Sequence, residues 1–162
     1  MISPSSPTTR FEKLAEAYAQ LGAEFRNLGN ATLVEIADTW AKALSQMHSM
    51  LSENNPPVKR SALVAGLEQG LRETPLVLLS TLPEAQRRMA LKTFRRIVES
   101  NVPGFFEKDR ETLNKIVSRR KIKNEGEWYL IRHRVDEIEG DASHASELAQ
   151  LYKLMEAYES AA

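Results

Sequence analysis

The sequence predicts an all-α protein: about seven helices, with an N-terminal antiparallel helical hairpin packed with a C-terminal helical bundle. Apolar residues recur at helical spacings almost throughout, and no stretch alternates apolar and polar residues as a half-buried strand does. Two consecutive segments carry heptad-spaced apolar seams. Polar links rich in Gly, Asn, Pro and capping residues separate the periodic segments.

Residues 1–8 are rich in Ser, Pro and Thr and read as a disordered N-terminal tail. Residues 9–54 read as the helical hairpin, and residues 55–162 as the bundle. The first helix opens on a capping box, in which Thr9 and Glu12 each satisfy an otherwise unpaired backbone N–H. Phe11, Leu14, Tyr18, Leu21, Phe25 and Leu28 form its seam, and Gly29-Asn30 ends it. Thr32 and Glu35 predict a second capping box, followed by Leu33, Ala37, Trp40, Leu44, Met47 and Leu51. A link this short makes the pair antiparallel, about 30 Å long at 1.5 Å per residue.

Asn55 and Pro56 predict the start of a third helix, with Leu63, Leu67 and Leu71 on one face and Pro75 as a kink or stop. Gly66 and Gly70 on this helix read as close packing or local weakening. Thr81 and Glu84 predict the start of a fourth helix, running to about Ser100, with Ala90, Leu91, Phe94, Ile97 and Val98 on its inner arc. Arg87 falls near that arc, so its stem covers the core or its head meets an acid from the C-terminal third. A fifth helix holds Leu113, Ile116 and Val117. Asn124 and Glu127 open a sixth, whose seam is Trp128, Ile131, Val135 and Ile138 and whose stop is Gly140. Asp141 or Ser143 caps a seventh, with Leu148, Leu151, Met155 and Tyr158 inward.

Several kinds of chemistry find no support. Hydrophobic residues at 42% make the chain too apolar for disorder. With no cysteine there is no disulfide, thiolate nucleophile or zinc–thiolate site. The three histidines form neither HExxH nor Glu-x-x-His, and the pair Asp141 and His144 lacks further ligands. His48 reads as a rim residue, and His133 with Glu137 as a surface pair. There is no phosphate-binding glycine loop and no nucleophile elbow. No catalytic, cofactor-binding or metal-binding residue is therefore assigned, and no cofactor is expected. The longest apolar run, "PLVLLSTLP", falls well short of the roughly 20 residues a membrane span needs. The opening residues do not resemble a signal peptide, so a cytoplasmic location without membrane contact is expected.

The net charge is zero, from 22 basic and 22 acidic residues, but the charges are unevenly placed. Residues 58–123 hold 15 basic and 7 acidic residues, and residues 124–162 hold 3 and 9. Arg88, Lys92, Arg95 and Arg96, with Arg119, Arg120, Lys121 and Lys123, form a candidate basic partner-binding surface. Acids nearby dilute it: Glu84 and Glu99 stand four residues from Arg88 and Arg95, and Arg132 and Arg134 have Asp136 and Glu137 within a turn. Arg119, Arg120 and Lys121 also suit the negative end of the fifth helix. The candidate self-association seam is Phe11, Leu14, Tyr18, Leu21, Phe25, Trp40, Leu44 and Met47, which packs either on the later helices of its own chain, the slightly favoured case, or on a second copy of the hairpin. The expected function is a non-catalytic helical protein–protein interaction or regulatory protein that self-associates as a homodimer. The alternative is a nucleic-acid-binding protein using the basic region 87–123.

Overall fold

The computed structural model describes residues 9–161, so the tail expected over residues 1–8 lies outside the described residues. Seven α-helices account for the architecture, with no strand among the described residues. They are α1 (Arg10–Asn27), α2 (Ala31–Leu51), α3 (Arg60–Thr81), α4 (Glu84–Asn101), α5 (Glu107–Arg119), α6 (Glu125–Ile138) and α7 (Ala145–Ala161). A 3-10 turn, Ala142–His144, precedes α7. No helix among the described residues is long and apolar enough to cross a membrane.

The capping box of α1 forms as read: the Glu12 N–H donates to the Thr9 hydroxyl, and the Thr9 N–H to the Glu12 carboxylate. The start of α2 differs. Gly29, at φ 70, turns the chain at once and leaves Asn30 extended, so Asn30 rather than Thr32 is the cap, its side chain accepting the Leu33 N–H. The start of α3 also differs, by four residues: it begins at Arg60, and Lys59 contributes no side-chain cap. Pro57 explains this, because a proline keeps the residue before it out of the helical region, and that residue is Pro56. Pro83 acts likewise on Leu82, which is extended at φ −90, ψ 147. Thr81 therefore closes α3, and α4 starts at Glu84 without the expected box. Pro75 does not end α3. It removes one backbone hydrogen bond, yet Leu71 and Leu78 on either side are fully buried, and their packing holds both halves.

The chain forms two compact units. The first comprises the described residues up to Pro83 together with Thr93–Pro103. Its core is the inner face of α1 (Phe11, Leu14, Tyr18, Leu21, Phe25), closed by Leu33 and Ala37 of α2 and Leu63, Leu67, Leu71 and Leu78 of α3. Asn101, at the end of α4, donates to the Gln20 side chain of α1. The second unit comprises Glu84–Lys92 and the residues from Gly104 onward. Ile116, Ile122, Ile131, Val135, Ile138, Leu151 and Met155 form its core, with Leu148 and Tyr158 partly buried against it.

Counting charges by unit changes the picture given by counting along the chain. The first unit holds 9 basic and 9 acidic residues, and the second holds 13 and 13. The basic middle and the acidic end of the sequence fold largely into the same unit.

Candidate functional site

The residues of the expected self-association seam separate into two environments. Phe11, Leu14, Tyr18, Leu21 and Phe25 are at most 4% exposed and belong to the core of their own chain. Tyr18 also donates its hydroxyl to the Leu67 carbonyl at 2.6 Å, and burial raises its pKa. Trp40, Leu44 and Met47 of α2 are only half-buried. Trp40 meets Tyr18 edge-on at 4.8 Å and lies tilted against Phe25 at 5.1 Å, so one side of its ring is anchored. His48 is exposed and meets Phe11 edge-on at 5.2 Å, in keeping with a rim position. A second line on α2, missed in the sequence, consists of Ile36, Ala43 and Met50. They stand seven residues apart, hence on one face, and all are half-buried. The seam residues of the same helix outweigh them, which hid the signal.

The expected basic residues do not form one uniform surface. Arg95 is half-buried and Arg96 exposed, both in the first unit. Arg88 and Lys92, in the second unit, stand against the end of α6. The Arg88 guanidinium lies so close over Gly140 that a Cβ there would meet it at 2.7–2.9 Å. The Asp141 carboxyl is held below its ordinary range, chiefly by hydrogen bonds from Ser143, with Lys92 and His144 adding smaller contributions. Cations at this place complement the negative end of α6.

Arg119 is engaged through Nε and Nη2. Its guanidinium donates to the Lys121 carbonyl at 3.1 and 2.8 Å and to both carboxylate oxygens of Glu127. The Asn124 side chain caps α6 by accepting the Glu127 N–H, as expected. The Glu127 carboxylate accepts the Lys123 N–H rather than that of Asn124. The box is thus replaced by a clasp that joins α5 to α6. Arg120, Lys121 and Lys123 remain exposed.

Further along, α6 carries two polar groups that the sequence reading only partly found. Arg132 pairs with Asp136 at 3.0 Å, and Arg134 pairs with Glu137 and Glu147 at 2.8 Å each. The hydrogen bond from Arg134 holds Glu147 below its ordinary pKa. Asp136 is only 7% exposed, and its Oδ2 has no hydrogen-bond partner in the protein. Burial raises its pKa, while Arg132 and, more weakly, Arg87 oppose that rise. Arg87 therefore acts on an acid of the C-terminal third, one of its two expected roles. Tyr152 of α7 donates to Glu139 at 2.7 Å beside this group.

His133 is a correction. Its Nε2 is buried without a partner, and burial lowers its pKa to about 4. The acid expected to pair with it, Glu137, takes Arg134 instead. α6 is covered beyond its apolar seam, as the burial of Asp136 also shows, and residue spacing alone does not reveal that cover. Among the described residues, no three His, Asp or Glu side chains gather to hold a metal ion. His144 stands between Asp141 and Glu147, but those acids already serve Ser143 and Arg134. No protein family, no curated protein and no solved structure matches this chain.

Proposed function

We propose that this is a non-catalytic helical interaction protein of the cytoplasm that associates with itself through α2. The observation that carries this reading is the contrast between the two helices of the hairpin. The apolar face of α1 is spent inside its own chain, whereas Ile36, Trp40, Ala43, Leu44, Met47 and Met50 of α2 stay half-buried. Excluding water from further apolar surface yields roughly 25 cal/mol per Å², so this face gains from a partner.

A second copy suits the face. Ile36 and Met50 lie symmetrically about the small Ala43, so two α2 helices crossing antiparallel at Ala43 would set each Ile36 beside the partner's Met50. That is the self-matching contact of a two-fold dimer. The α1 seam then contributes indirectly, by fixing α2 from behind.

Sedimentation velocity tests the reading. The protein is expected to sediment as a dimer in the micromolar range. The double variant Ala43→Glu/Met50→Glu is expected to sediment as a monomer with its circular dichroism unchanged. A wild-type chain that stays monomeric over that range overturns the proposal.

A further inference from the structure

Arg10, Arg26, Arg72, Arg110, Arg119, Arg132 and Arg134 all form ion pairs. The joint between α5 and α6 gathers cations closely along the chain. Arg120, Lys121 and Lys123 are exposed and form no ion pair. They place three cations within four consecutive residues, a local concentration of positive charge in a unit that is neutral as a whole.

The backbone beneath these cations is fixed. The Arg120 N–H donates to the Ile116 and Val117 carbonyls at 2.9 and 3.2 Å. Arg119 grips the Lys121 carbonyl, Glu127 grips the Lys123 N–H, and Ile122 is 4% exposed. Ile122 is thus buried between two exposed lysines. Arg120 itself sits in the left-handed region, at φ 59, ψ 33, where helices usually end on glycine. An arginine there costs backbone energy, and its side chain forms no hydrogen bond or ion pair among the described residues.

We propose that this joint, residues 119–124, is a contact site for the sugar–phosphate backbone of a nucleic acid, with Arg120, Lys121 and Lys123 as its phosphate ligands. The site is independent of self-association through α2. A lipid surface fits less well, because the only aliphatic side chain of the loop is buried and cannot insert. An acidic helix calls for cations at helical spacing on one face, whereas these are adjacent and alternate along a loop. Nothing here reads bases: the Asn124 amide caps α6 and Arg119 is held by Glu127, so binding does not depend on sequence. A pinned loop also loses little entropy on binding.

The test is fluorescence anisotropy with a labelled oligouridylate and a labelled DNA duplex, titrated at several salt concentrations. Three neutralised phosphates give a slope of log K against log salt of about −2 to −3, so a tenfold rise in salt weakens binding about 100- to 500-fold. The variant Arg120→Glu/Lys121→Glu/Lys123→Glu should lose measurable binding. Arg120→Gly should keep or raise the melting temperature while reducing the slope by about one unit. That result separates a ligand role from a structural one, and it stands even if the triple variant folds poorly. The proposal is overturned if neither nucleic acid binds at low salt. It is equally overturned if Arg120→Gly leaves the slope unchanged, or if vesicles containing phosphatidylserine capture the protein while both oligonucleotides fail.

Discussion

At Gly70 the place of a side chain is already taken. A Cβ there would lie 2.2 Å from the Tyr18 hydroxyl oxygen, which is held by its hydrogen bond to Leu67. Gly70→Ala should therefore destabilise the first unit by about 1–3 kcal/mol in urea unfolding. Tyr18→Phe should cost about 1 kcal/mol through the lost hydrogen bond. The double variant should cost less than the sum, because removing the hydroxyl removes the clash. Gly66, by contrast, faces open space, a distinction that two glycines four residues apart did not reveal in the sequence. His133 supplies the second test. Its folded pKa, about 4, lies below the ordinary 6.5, so unfolding takes up a proton between those values. Its contribution is complete above pH 6.5 and is lost as the pH falls toward 4. Allowing for its remaining exposure, the loss is about 2 kcal/mol. Asp136 works in the opposite sense, since its raised pKa means that acid relieves a buried charge. Wild type should thus weaken from pH 6.5 to 4, and His133→Leu should flatten that part of the profile.

Among the elements, seven helices and their inward faces were legible, because each repeats one period over many residues. All five residues read as the inner arc of α4 are buried, as are Leu151 and Met155 of α7. Helix starts were less legible where two signals competed. Thr9–Glu12 had no rival and formed its box. Thr32 lost to Asn30 because Gly29 turned the chain earlier, and prolines moved the starts of α3 and α4. For the candidate surfaces, residue type was legible and exposure was not. Spacing cannot tell the spent seam of α1 from the half-covered one of α2, nor an engaged Arg119 from an unpaired Lys121. At the start of α6, Asn124→Ala should cost about 1 kcal/mol through the lost cap. Glu127→Ala should cost about 1–2 kcal/mol, because it frees a partly buried guanidinium and a backbone N–H together. Thermal unfolding of both variants checks the order.

For the molecule as a whole, each unit is electrically balanced, and the contrast between a basic middle and an acidic end disappears on folding. Long-range attraction for a polyanion is therefore weak, and any such contact depends on local charge. The clasp at the α5–α6 joint has one further consequence. Arg119, Arg120, Lys121 and Lys123 make this the densest run of trypsin cleavage sites in the chain, on an exposed loop. A protease needs several residues of backbone to open into its cleft, and here Arg119, Ile122 and Glu127 hold that backbone shut. Limited digestion of the native protein should spare the joint, while Glu127→Ala should be cut there first, so one carboxylate governs how long the chain survives intact.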